Sequence, residues 1–189
     1  MQKTRRYKLY FWVILAVFFV TFYGSILIFQ DRVFSYDTDV AHPKIITEAA
    51  LFYNKNSLQK LTLQQINWLE QGSIKEDTPT RWVNHFYDPI NNSGYHNQYS
   101  TAKNWAKDIT RQRDYALGDH TWQRALDNYQ KGNYEQAFTD LGQVLHLIAD
   151  VSVPAHTRDD SHPTGDSYEQ YLKNNWYTVR NTLNLNLNF

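Results

Sequence analysis

Cysteine is absent from all 189 residues, so neither a disulfide framework nor a thiolate metal site can form. Any bound metal must take its ligands from His, Asp, Glu or the backbone. Glycine and proline are scarce, at 7 and 5, the apolar spacing is mostly helical, and no stretch has the pattern of a strand. Positive charge is thin where nucleic acid would need it. All nineteen acidic residues follow Gln30, while four of the nineteen basic ones, Lys3, Arg5, Arg6 and Lys8, precede it. The part after Gln30 is therefore mildly acidic, which argues against a basic patch and a stable nucleic-acid partner.

What the chain does have begins with Leu9 to Phe29, LYFWVILAVFFVTFYGSILIF, an uncharged run long enough as a helix to cross a bilayer core. Basic residues ahead of it predict a cytoplasmic N-terminus and an extracytoplasmic remainder. The apolar core is longer than a signal peptide usually has, and Tyr23-Gly24-Ser25 matches a cleavage site poorly. The expected organisation is a basic segment at 1–8, a transmembrane signal anchor at 9–29, a linker at 30–41 and one domain at 42–189. That places the protein at the cell membrane as a single-pass chain; cleavage would leave it secreted.

The remaining residues suffice for one domain with a real core. Ile45, Ile46, Ala49, Ala50 and Tyr53 predict one amphipathic helix, and Leu61, Ile66 and Trp68 a second, short one. Trp105–Tyr129 should form one or two helices, Tyr134–Val151 a central one, and 167 to about 181 the last. A long irregular loop is expected from Gly72 to about Tyr99. The fold class is all-α, a helical bundle.

Chemistry concentrates between Gly142 and Glu169, GQVLHLIADVSVPAHTRDDSHPTGDSYE, which holds His146, Asp150, His156, His162, Asp166 and Glu169. On a helix, His146 and Asp150 stand at i and i+4, one turn apart on one face, a spacing that suits two ligands of one ion. Pro154 cannot continue that helix, so the chain should turn and bring His156 back toward the same face. Mixed imidazole and carboxylate favour zinc over magnesium or calcium. Taken alone, a His-x-x-x-Asp pair is more often solvated, and D-S-Y-E is also a capping box with Asp166 at the N-cap. Both readings can hold together, one acid capping and the other ligating.

The expected loop adds Glu76, Asp77 and His85 within GSIKEDTPTRWVNHFYDP, and loops of that length inside a compact domain are usually functional. Trp82 and Tyr87 flank His85. Their faces suit a quaternary ammonium headgroup by cation–π attraction, or else simply anchor the loop. His42 stands at the start of the first helix beside Pro43, a natural first helical residue.

Together, HPKIITEAAL, WLEQGSIKED, NHFYDP, HLIADVSVPAH and HPTGDSYE resemble, in order, the motifs of the zinc-dependent phospholipase C family. This is the bacterial phosphatidylcholine-hydrolysing type that shares its fold with the P1 and S1 nucleases. The resemblance implies an all-helical domain holding two or three zinc ions in a cleft. One ion would take Asp77, His85, His146 and Asp150, with Asp150 bridging to a second that also takes His42. The third would take His156, a following histidine and Glu169.

The sequence departs from the best-known members in three places. Their histidine four residues before the glutamate is Gly165 here, leaving His162 as the available ligand and Asp166 as its substitute. No tryptophan lies between Gln30 and His42 to offer a free N-terminus to the His42 ion. The chain stops at Phe189 after LNLNLNF, where the family's domain usually continues. The implied activity is phosphodiester hydrolysis, a zinc-bound hydroxide attacking phosphorus with Asp77 ligating and accepting a proton. Phospholipid is the favoured substrate. The alternatives are a P1-like nuclease or general phosphoesterase and, from another class, a catalytically silent membrane-anchored module that binds zinc or a partner.

Overall fold

The computed structural model describes residues 40–160 and 166–182. The membrane run at 9–29, the linker up to residue 39, His162 and the last seven residues, 183–189, lie outside the described residues. Among the described residues no helix is long and apolar enough to cross a membrane. They are all-helical, with one isolated bridge between Asp88 and Ser93 and no strand.

The first helix, α1, spans Ala41–Asn56, and Pro43 sits in its first turn, where the missing N–H would have had no helical partner. It buries Ala41, His42, Ile46, Ala50 and Leu51. Ile46 and Ala50 turn inward as expected, whereas Ala49 and Tyr53 stay exposed. Helix α2, Leu63–Glu76, starts at a reciprocal capping box between Thr62 and Gln65. It is longer than the spacing predicted and runs straight through Gly72, so the irregular segment begins only at Asp77, the residue that ends the helix.

The extension follows from how α2 meets α6, Tyr134–Asp150. A Cβ added at Gly72 would run into the Thr139 carbonyl, and one at Gly142 into the Leu69 carbonyl; each would also lie 3.0 Å from the other glycine's Cα. Glycine here serves a close helix crossing rather than a break. Helix α6 matches the expected bounds to within one residue, with Val151 as its C-cap.

Between these helices the chain departs further from expectation. The stretch expected to give one or two helices over 105–129 yields α3 (Ala102–Trp105), α4 (Ile109–Gln112) and α5 (Trp122–Gln130). Thr101, Asp108 and Thr121 each accept a backbone N–H two or three residues into the next helix. Such side chains offer the backbone a fresh start and so divide what apolar spacing alone would join. After α6, Val153 is extended and Pro154 opens a single turn, α7, Pro154–Thr157. The last helix, α8, spans Ser167–Thr182, and the Asp166 carboxylate accepts the N–H groups of Tyr168 and Glu169 at 2.7 and 3.2 Å.

Apolar packing is divided among three small clusters. One joins Ala41, Val153, Ala155 and Leu172; another Ile46, Leu69 and Phe138; the third Ala102, Trp105 and Leu147. The space between them is polar. Apart from Trp105 and Val153, the largest fully buried side chains are Arg81, Glu76, Asn84, Gln112, Gln143 and four histidines, His42, His85, His146 and His156. Burying so many polar groups is costly unless they are paired or bind a ligand, which directs attention to the centre of the molecule.

Candidate metal centre

Three helices and one loop deliver the central side chains. Helix α6 carries His146 and Asp150 one turn apart on its buried face. The end of α2 supplies Asp77, the loop after it His85, and the first turn of α1 His42. Five of the six separations within the first expected ligand set are short, while Asp77 groups with His42 and His146 rather than with Asp150. His146 Nε2 lies 3.3 Å from His85 Nδ1, 3.1 Å from Asp150 Oδ2 and 3.4 Å from Asp77 Oδ1. His85 Nδ1 lies 3.6 Å from Asp77 Oδ1 and 2.7 Å from Asp150 Oδ2. A tetrahedral zinc with bonds of about 2.0–2.1 Å needs ligand atoms roughly 3.3–3.4 Å apart. The observed edges bracket that value, and Asp77 Oδ2 and His146 Nδ1 are buried with no hydrogen-bond partner. The donor set fits zinc.

Asp150 faces two ways. Its Oδ2 meets His85 and His146, while its Oδ1 lies 3.3 Å from His42 Nε2. His42 also stacks on His146, ring centroids 3.9 Å apart. Two triads therefore have ligand atoms all within 4.8 Å of one another: His85 with His146 and Asp150, and His42 with Asp77 and His146. Asp150 thus lies between His42 on one side and His85 and His146 on the other.

The turn after Pro154 does return His156 to this centre. Tyr87 N–H donates to the His156 carbonyl at 3.0 Å, Phe86 stacks on the His156 ring at 4.6 Å, and His156 Nε2 lies 3.8 Å from Glu169 Oε1. Glu169 is buried, whereas Asp166 is occupied in capping α8. Of the two acids of D-S-Y-E, Asp166 caps the helix and Glu169 lies buried beside His156. Trp82 packs edge-on against Tyr95 and Phe86, and the Tyr87 ring packs against the cluster of Ala102, Trp105 and Leu147.

The buried carboxylate and imidazoles shift one another. Burial pushes the Asp150 carboxyl up, but the charges of His146, His156 and His85 outweigh it and hold it well below the carboxylate range. Burial pulls His146 and His85 down, yet the Asp150 carboxylate leaves both above their ordinary value, His146 by the wider margin. His42 goes the other way, lowered by burial and then by His146.

These directions predict how metal binding depends on pH. Without metal, His85 and His146 keep their protons above the usual imidazole value of about 6.5, and a metal must displace them. Falling pH favours the protonated, metal-free site, so affinity weakens on that side and strengthens as pH rises through the two raised values. Zinc affinity should change by up to about tenfold per pH unit for each proton displaced. Competition with a chromophoric chelator between pH 6 and 8 measures this, and a flat profile would contradict it.

Sequence reading noted Glu76 only as half of an acid pair and passed over Arg81, Trp105 and Gln112, which form a buried network directly behind His85. The available signal was an arginine set among Trp82, Val83 and Phe86, which needs a counter-charge if the segment folds inward. Burial lifts the Glu76 carboxyl, but the His85 contact and the Arg81 charge bring it down to about 2.

An all-α domain whose core is a His and Asp cluster of this kind defines a metal-dependent class, and the family can be stated. The chain belongs to the zinc-dependent phospholipase C family, whose sequence pattern matches residues 42–184. It is similar to the phospholipase C of Listeria monocytogenes serovar 1/2a, at 30% identity over 125 residues. That match takes in 62% of this chain and 39% of the relative, so the chain spans well under half of that protein's length.

Proposed function

We propose that this chain is a zinc-dependent phosphodiester hydrolase of the phospholipase C type, with phospholipid headgroups as its substrate class. The observation that supports this best is the buried triad of His85, His146 and Asp150, with Asp77 Oδ1 3.4 Å from His146 and 3.6 Å from His85. In this reading Asp77, His85, His146 and Asp150 would hold one ion, Asp150 and His42 would serve a second, and His156 and Glu169, with His162 as the sequence suggests, would hold a third. Zinc so placed lowers the pKa of water and neutralises charge building on phosphoryl oxygens. The chain's own part is to fix that geometry and move protons. In this reading Asp77 would accept the proton, a role supported by its Oδ2 having no hydrogen-bond partner while its Oδ1 faces His146.

For the headgroup, the candidate contacts are Trp82 and Tyr87, both partly exposed. The apolar run at 9–29 would hold the domain against the membrane that carries its substrate, a reading supported by its length and lack of charge. The test is zinc content by elemental analysis together with turnover of a chromogenic phosphocholine diester, with and without chelator. Two to three zincs and chelator-sensitive turnover are expected. Turnover only of single-stranded nucleic acid would move the reading to a nuclease, and zinc without any turnover would move it to a binding module.

A further inference from the structure

Behind His85, on the side away from the ligand cluster, Glu76 uses its two oxygens separately. Oε2 accepts from Arg81 Nε and Nη2 at 3.1 and 2.9 Å. Oε1 accepts from Trp105 Nε1 at 2.7 Å and lies 3.6 Å from His85 Nε2. That distance exceeds a hydrogen bond, and His85 Nε2 is buried with no hydrogen-bond partner, so the Glu76 carboxylate is the acceptor it faces.

Arg81 is itself fully committed. Beyond its two bonds to Glu76, Nη2 donates to Gln112 Oε1 at 3.2 Å, and Nη1 donates to the carbonyls of Ala116 and Gly118 at 3.1 and 3.0 Å. These use all the donors a guanidinium has. A buried arginine with no donor left cannot also grip a phosphate, so its role lies in holding Glu76. The guanidinium lies over the Trp105 ring, 4.9 Å from its centroid, which closes the fourth side.

We propose that Glu76, held by its two bonds from Arg81, is a positioning residue that fixes the His85 ring with Nε2–H toward Glu76 and Nδ1 toward the metal ligands. A ring turned over would lose the carboxylate on one side and the cluster of Asp77, Asp150 and His146 on the other. Metal-bound histidines generally donate their second N–H to such a carboxylate, and loss of the partner typically weakens metal binding by about ten- to a hundredfold. The inference rests on the reading of the cluster as a metal centre.

The test compares E76Q with W105F in the full chain. W105F removes the indole bond to the same Glu76 oxygen without touching the imidazole. The readouts are zinc affinity by chelator competition, the visible spectrum of the cobalt-substituted protein, and the His85 tautomer by nitrogen-15 NMR of the metal-free protein at a pH high enough to leave His85 neutral; lipid turnover is not used. E76Q should weaken zinc by about ten- to a hundredfold, shift the cobalt bands and lose the single Nε2–H tautomer. W105F should melt earlier yet bind zinc within about twofold of the unaltered protein and keep the tautomer. Equal losses in both variants, or an E76Q protein indistinguishable in zinc affinity and tautomer, would overturn the proposal. If E76Q does not fold, E76Q/R81M removes the opposing charge with it and is judged by the same readouts. Failure of the unaltered protein to bind zinc would defeat the metal reading itself, a result distinct from E76Q indifference.

Discussion

Asp150→Ala is expected to leave at most one zinc per chain and to reduce phosphodiester turnover by roughly a thousandfold or more, about 4 kcal/mol of barrier. Asp150 is fully buried, and its two oxygens face three imidazoles from different elements: His85 at 2.7 Å, His146 at 3.1 Å and His42 at 3.3 Å. Removing the carboxylate takes one ligand from each of the two ions proposed there. It also takes away the charge that holds His85 and His146 above their ordinary pKa, so the metal-free protein loses a buried pairing worth about 3–5 kcal/mol when broken. Asp150→Asn keeps the volume while losing the charge, so it leaves no cavity but loses the same pairing. That variant should melt below the unaltered protein, by less than Asp150→Ala, and still load poorly with zinc, as elemental analysis and a melting curve would show. Near-normal zinc and turnover in both variants would rule out a shared carboxylate at this position.

Helix α6 and its ligands were legible because one short segment carries both their spacing and their stop signal. His146 and Asp150 are one turn apart, and Pro154 ends the pattern before His156. Asp77, His85 and His42 became legible only through the order of motifs, since nothing local ties residues on three elements to one point. The all-α class followed from apolar periodicity, but the boundaries did not. Gly72 has the appearance of a helix end when viewed in sequence, whereas its function is a contact with Gly142, seventy residues away and invisible to any local rule.

The same limit hid the Glu76 and Arg81 pair. Hydropathy patterns locate apolar stripes, and this molecule's largest buried polar groups belong to none of its three small apolar clusters. A polar centre has no periodic signature. What the sequence does offer is an inventory of groups needing partners, and Arg81 with its five donors was the one with most to satisfy.

Gly142→Ala is the second substitution with a large expected effect, because it tests whether the helix crossing sets the site. Helix propensity alone favours alanine over glycine by about 1 kcal/mol. Against that, the new Cβ meets the Leu69 carbonyl and lies 3.0 Å from Gly72 Cα, and both are backbone atoms with no rotamer by which to move aside. Overpacking of this kind typically costs 1–3 kcal/mol, and more where backbone must shift, so a net loss of about 3 kcal/mol is expected, or a fall in melting temperature of roughly 6–12 °C. Relief requires α2 and α6 to separate. Asp77 ends α2 and sits 3.4 Å from His146 on α6, so any separation stretches that ligand edge and should lower zinc affinity along with stability. Gly132→Ala is the control: its φ of 78° also disfavours alanine, but nothing lies within 4 Å, so about 1 kcal/mol should be lost with zinc binding unchanged. The Gly72→Ala/Gly142→Ala pair should cost less than the sum of its single changes, since both relieve the same contact by the same movement. A Gly142→Ala protein that melts early yet binds zinc normally would show that the crossing and the metal site are held independently, and strict additivity would show that the two glycines do not share one contact.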